Sequence, residues 1–92
     1  MEESSEETIL RVGGSSPADK LGSAIAHHVY ANKRVALRAV GAPAVNQAMK
    51  AVAIANGHTA KKGVWLSVRP GFVDVEMPDK TVTGMLLRVL AE

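Results

Sequence analysis

Apolar side chains along this chain recur with two periods, one typical of strands and one typical of helices. Short alternating segments predict strands at Thr8–Val12 and Arg34–Val40. Between them, apolar residues recur every three to four positions from Leu21 to Val29 and predict a helix that ends near Ala31. Two strands joined by a helix and short loops form a βαβ unit, so we expect these two strands to lie parallel.

Small residues and prolines mark the expected ends of the helices. Ser16 is predicted to cap the first helix, with Pro17 at its first position, where a missing N–H has no cost. A longer second helix is predicted from Pro43 to Asn56, with Gly57 as its C-terminal cap.

The last third of the chain shows strand periodicity alone. Alternation begins at Val64, and its phase changes at Pro70-Gly71. Either one strand bulges there or two strands meet in a tight turn, and we favour the bulge because it keeps the side chains facing one core. A turn at residues 77–80 leads into a last strand, Thr81–Leu90. The order β-α-β-α-β-β predicts an α+β two-layer sandwich, with a mixed four-stranded sheet and two helices on one face.

Charge is distributed unevenly along the 92 residues, whose net charge is +2. Four of the nine acids lie in residues 1–7, which hold no base, so residues 8–92 carry 11 bases against five acids. We expect a short acidic tail at 1–7 and a single basic domain at 8–92. A basic body favours a polyanionic partner, although many domains carry such a charge for solubility alone.

Small size and the absence of cysteine favour self-association. A domain of this length buries only about 60–65% of its unfolded surface, and disulfides and thiolate metal sites are excluded. A homodimer or tetramer is therefore expected. No apolar run is long enough to span a bilayer, and acids stand where a secretion signal needs bases, so we expect a cytoplasmic protein without a membrane partner.

Catalytic motifs are missing from the sequence, which predicts that the protein is not an enzyme. No nucleophile elbow, Walker loop or dinucleotide fingerprint is present. His27 and His28 are adjacent on a helix and point about 100° apart, which suits a shared metal poorly. We expect no metal, no cofactor and no small-molecule substrate.

The two strand-to-helix loops are the strongest candidates for binding an anion. In a βαβ unit both loops lie at the carboxyl end of the sheet, and each leads to a helix N-terminus whose N–H groups attract phosphate. The alternative is that the glycines only shape the loops and the serines only cap. The candidate nucleic-acid-binding residues combine loop donors, polar and basic side chains of the two helices, and Arg69 as a further basic group: Gly13, Gly14, Ser15, Ser16, Lys20, Gly41, Asn46, Gln47, Lys50 and Arg69.

The second helix is apolar on more than one side, which suggests a second use. Ile54 falls toward the side of Asn46 and Lys50, where solvent was expected, and is the candidate oligomer interface. The alternative function is thus a protein-interaction or assembly module that docks a partner through this helix. Trp65 and Phe72 are the candidates for stacking on an unpaired base, and we expect at least one of them to be buried.

Five segments closely resemble the stage V sporulation protein S family, and the likeness runs through nearly the whole chain from about residue 9. They are Val40–Ala55, which reads like the signature of that family, and Arg11–Val12, Ser15–Pro17, Gly22–Ala26 and Arg69–Val75.

The resemblance implies an Alba-like fold, related to archaeal chromatin proteins and to an RNA-binding superfamily. It implies a small bacterial regulator connected with sporulation and septation, which binds DNA or RNA. This chain departs from the family at Asn56, where an Arg is usual. The extended basic hairpin of the chromatin relatives is expected here only as the short Met77–Lys80 turn.

Overall fold

The computed structural model describes residues 6–92. Within that range the chain forms four strands, two α-helices and one short 3-10 helix. In chain order these are β1 (Glu7–Val12), α1 (Ala18–Tyr30), β2 (Arg34–Ala39), α2 (Ala42–Thr59), the 3-10 turn (Ala60–Lys62), β3 (Leu66–Glu76) and β4 (Thr81–Ala91).

The four described strands form one mixed sheet in the order β1-β2-β4-β3. β1 and β2 are parallel, whereas β4 is antiparallel to both of its neighbours. The predicted element order, the parallel βαβ unit and the α+β class are confirmed.

Both helices pack on the same face of the sheet and enclose an aliphatic core. Ile25 of α1, Leu37 of β2 and Ala48 of α2 are fully buried in it. The buried stripe of α2 consists mainly of alanines, which allow its backbone to come close to its neighbours. At the contact between the helices, a Cβ placed on Gly22 would lie 2.8 Å from Cγ2 of Ile54. Ile54 therefore packs against α1 of its own chain.

The helix ends differ from the prediction. Pro17, not Ser16, is the N-cap residue of α1, and no side chain caps that end. The chain remains helical beyond Gly57, because α2 continues to Thr59 and the 3-10 turn follows it. Gly63, in the left-handed region at φ 83°, ends this segment instead.

β3 is one strand, as favoured, but it has no bulge. Its residues pair one to one with β4 straight through Pro70 and Gly71. The apolar phase changes because the two halves of the strand bury opposite faces: Val68 packs on the helix-side core, whereas Val75 is buried on the other face beside Gly84. The expectation that these side chains all face one core is wrong.

Most of the expected acidic tail lies outside the described residues. Glu7 belongs to β1, where it pairs with Arg34 in register. Its carboxylate forms an ion pair with Arg88 of β4, with 3.0 Å between Oε2 and Nε.

Candidate nucleic-acid interface

The first strand-to-helix loop, Gly13–Ser16, meets the second connection, which consists of Gly41 and the first two residues of α2, Ala42 and Pro43. The two segments lie at one end of the molecule and are called here the loop rim. Val12 and Ala39, which precede them, are partners in register, so the loops leave the sheet side by side. A Cβ placed on Gly14 would lie 3.0 Å from Cβ of Pro43, so any other residue at position 14 would press on the second loop. The predicted convergence of the loops is present in the structure.

The N-terminus of α2 faces the loop rim without a side-chain cap, and its first turn offers the N–H groups of Ala42 and Ala44, because Pro43 between them carries no N–H. Its N-cap residue, Gly41, adopts φ 91°, a conformation that other residues rarely take, and no side chain caps the helix. The first turn of α2 holds no acid. The first N–H groups of a helix lack partners within it and carry the positive end of its dipole, so this end of α2 favours an anion.

Ser16 shapes the first loop rather than capping α1. Its Oγ accepts a hydrogen bond from the Gly13 N–H at 2.8 Å, and its own N–H donates to the Gly13 carbonyl at 3.1 Å. The Ser16 hydroxyl retains its own hydrogen as a donor. Ser15 is exposed at the tip of the loop.

Side chains of α2 connect this helix to the first loop. Gln47 Nε2 donates to the Ser16 carbonyl at 2.8 Å, and Lys50 Nζ lies 3.4 Å from Gln47 Oε1. Lys50 is exposed. Its contact with Gln47 places its ammonium group on the side of α2 that faces the loop rim. Asn46 is exposed on the first turns of the same helix. Gln47 thus joins α2 to the first loop and contacts Lys50.

Lys20 is exposed in the first turns of α1, next to an acid. Asp19 Oδ1 accepts a hydrogen bond from the Lys20 N–H at 2.9 Å. A carboxylate in the first turn stabilises the helix dipole and opposes an approaching anion. The N-terminus of α1 is therefore a weaker anion site than that of α2.

Arg69 is not part of the loop rim. It lies on β3, and its strand register places its side chain on the face of the sheet that no described helix covers. The other four arginines of the chain occupy the same face, and all five are called here the arginine face: Arg11, Arg34, Arg38, Arg69 and Arg88. The sequence alone does not show this grouping, because it depends on strand register and strand order.

Both aromatic candidates for base stacking are exposed, so the expectation that one is buried is wrong. Phe72 is 81% exposed and is aligned through Met85 with Ala39, at the level where the second loop begins. Trp65 is 60% exposed and precedes the first residue of β3, on the side of the arginine face.

Asn56 has a structural contact. Its Oδ1 accepts a hydrogen bond from the Leu66 N–H at 2.9 Å and ties α2 to the start of β3. The oligomer-interface candidate Ile54 is half-buried against Gly22. Its predicted role between subunits stays a prediction.

Other functional groups do not cluster in the described part of the chain. His28 Nδ1 bonds to the carbonyl of Ala24 at 2.8 Å, and residues 6–92 hold no group of His or carboxylate side chains arranged for a metal. A cavity of about 390 Å³ beside Tyr30 lies at the opposite end of α1 from the loop rim. Neither helix described between residues 6 and 92 is long and apolar enough to cross a membrane.

Comparison with known proteins identifies both the fold and the family. Alba from Thermoplasma volcanium has a similar structure, with a TM-score of 0.60 over 92% of this chain and 99% of that chain. The two sequences are 14% identical, so the likeness is one of fold. The model of the family Stage V sporulation protein S (SpoVS) matches residues 8–92, and the chain therefore belongs to that family.

Proposed function

We propose that this protein binds nucleic acid, DNA or RNA, through the loop rim and acts as a small, non-enzymatic regulator connected with sporulation. The observation that carries the proposal is the close approach of the first loop to the start of α2 at Gly14 and Pro43. The uncapped N-terminus of α2 and the serine donors of the loop lie beside this approach, and Gln47, which donates to the Ser16 carbonyl, brings the Lys50 ammonium toward it. Phosphate groups bind such combinations of backbone N–H donors and a cation.

The family and the fold agree with this proposal. The family name connects the protein with sporulation. The Alba-like fold is the one that the sequence resemblance implies to be shared with chromatin proteins and RNA-binding proteins. Fold kinship alone does not assign a ligand, which is why the loop rim carries the argument.

The assembly-module alternative has less support. Ile54, the apolar side chain of α2 that suggested a docked partner, packs on α1 of the same chain. Met49 is the large apolar residue of α2 that stays exposed.

The long β3–β4 hairpin does not favour an arm in the minor groove of duplex DNA. Its strands are 11 residues each, and the turn that joins them is the short one predicted at residues 77–80. Its tip carries acids as well as Lys80, namely Glu76 and Asp79. Arms that enter the minor groove rely on basic side chains.

Lys50→Ala tests the loop rim. We expect weaker binding of DNA or RNA at every sequence, with the slope of log affinity against log salt reduced by about one unit, because one phosphate contact is lost. Fluorescence anisotropy of labelled single-stranded and duplex oligonucleotides at several salt concentrations measures both quantities.

Lys61→Ala is the matched control, because it removes the same charge from the 3-10 turn that follows the C-terminal end of α2, at the opposite end of that helix from the loop rim. Equal behaviour of the two variants would reject the loop rim as the site. If the unaltered protein bound no nucleic acid even at low salt, the assembly-module function would replace the proposed one.

A further inference from the structure

The chain separates its two kinds of basic residue between different parts of the fold. All five arginines lie on strands, whereas its six lysines lie on helices, loops and the hairpin turn. Register makes the arginines a continuous band. Arg11 of β1 pairs with Arg38 of β2, and Arg88 of β4 pairs with Arg69 of β3. Because Arg38 faces Leu86, the second pair is displaced from the first by two residues along the strands. Strand spacings put about 16 Å between the Cα atoms of Arg11 and Arg69.

Like charges therefore stand directly opposite each other twice on this face, an arrangement that destabilises a sheet. Glu7 pairs with Arg88, and Glu92 lies at the edge of the face beside Trp65. Among the described residues, these two acids are the ones whose register places them on this face. The arginine face thus carries a clear excess of positive charge.

A second copy of the chain does not suit this face. A two-fold interface sets the same patch against itself, so arginines would meet arginines. Its charge is complementary to a polyanion, and guanidinium groups bind phosphate through two parallel hydrogen bonds. A polyanion also relieves the repulsion within the Arg11–Arg38 and Arg69–Arg88 pairs.

The shape and chemistry of the face favour a single strand over a duplex. A face that is four strands wide is too broad to enter a groove of a duplex, whereas the bases of a single strand can stack on an exposed aromatic ring and on guanidinium planes. Trp65 supplies such a ring at one end of the face. Two apolar side chains on the same face, Ile9 of β1 and Leu90 of β4, are also exposed.

We propose that the arginine face is a second binding surface, for single-stranded nucleic acid, on the layer opposite the helices. It rests on the proposed function in taking nucleic acid as the polyanion, but it uses none of the loop-rim residues. Arg11, Arg38, Arg69 and Arg88 bind the backbone, and Trp65 stacks on a base.

Trp65 is the one tryptophan of the chain, so its fluorescence reports on this face alone. Unlabelled, unstructured RNA and DNA oligonucleotides of about 12 nucleotides, a length suited to a small single-strand-binding domain, are titrated against the protein. A duplex of equal length and polyglutamate are titrated in parallel. We expect both single strands to quench Trp65 and to bind more tightly than the duplex, and the ratio of RNA to DNA affinity identifies the preferred sugar.

The double substitution Arg11→Gln with Arg69→Gln should weaken single-strand binding by roughly tenfold or more and lower the salt slope by about 1.4 units. Lys61→Gln with Lys80→Gln removes the same charge outside the face and should change affinity by less than about threefold. Thermal unfolding followed by circular dichroism checks that both double variants are folded.

Each other result has a definite meaning. Unchanged Trp65 fluorescence at saturation, or equal affinities of the two double variants, overturns the arginine-face proposal. If Lys50→Ala still weakens binding in that case, the proposed function stands. Polyglutamate that binds as tightly as the oligonucleotides would make an acidic protein segment the occupant. Absence of any nucleic-acid binding would reject both proposals.

Discussion

At the scale of single residues, glycines fix how closely the elements of this protein approach one another. Gly22 lets α1 cross α2 with almost no gap, since its added Cβ would meet both Ile54 and the carbonyl of Ala51. Gly57, near the end of α2, has no neighbouring atom within 4 Å of its added Cβ. Two helical glycines thus have opposite surroundings.

Replacing each of these glycines by alanine gives a matched pair of predictions. Gly22→Ala should lower the free energy of unfolding by about 1–3 kcal/mol, because the helices must move apart. Gly57→Ala should raise it by about 0.5–1 kcal/mol, because alanine favours a helix and loses less backbone entropy. Urea unfolding of both variants measures the two changes, and a stabilising Gly22→Ala would show that this contact is looser than described.

At the scale of elements, periodicity and breakers predict most of the fold. Helical spacing around Ile25 and alternation around Leu37 are local properties, so the element order follows from them. The end of α2 is mispredicted because Gly57 is tolerated inside a helix, while the left-handed conformation needed at its end falls on Gly63.

The faces of the strands are less predictable than their positions. Alternation around Val73 and Val75 shows that one side of β3 is apolar, but it does not show which layer covers that side. That depends on the strand order β1-β2-β4-β3, a product of long-range pairing. For the same reason the sequence does not show that Arg69 shares a face with the other arginines, whereas the meeting of the two strand-to-helix connections follows from the βαβ topology alone and is predicted from sequence.

The N-terminal segment gives a prediction at this scale. Residues 1–5 contain Glu2 and Glu3 and precede Glu7, which lies on the arginine face. Their deletion should leave the unfolding temperature unchanged and strengthen binding of polyanions at low salt by roughly twofold to tenfold.

Glu2→Gln with Glu3→Gln in the full chain should give the same gain if charge is the cause. Binding is measured by anisotropy and folding by circular dichroism. A large loss of stability on deletion would show instead that the segment contributes to the fold.

At the scale of the whole molecule, the hydrophobic core contains few large side chains. Its buried residues are mostly alanine and valine, and large apolar side chains such as Phe72 and Met49 stay exposed. Association with further copies would cover such side chains.

We therefore expect self-association at micromolar concentration. Light scattering should give a mass of at least twice the 9.7 kDa monomer. Met49→Lys tests the exposed side of α2 without disturbing the contact between the helices, and it should lower the mass if α2 forms the interface. A monomeric mass for the unaltered protein would remove this argument.

The separation of arginines from lysines gives the two surfaces different chemical reactivity. Acetylation modifies the primary amine of lysine and removes its charge, whereas the guanidinium group of arginine is untouched by it. Acetyl groups on Lys20 and Lys50 would discharge the side chains beside the loop rim and leave the arginine face fully cationic. One enzyme-controlled modification would then lower the charge of the helix layer alone, and the sheet would keep its charge for binding single-stranded nucleic acid.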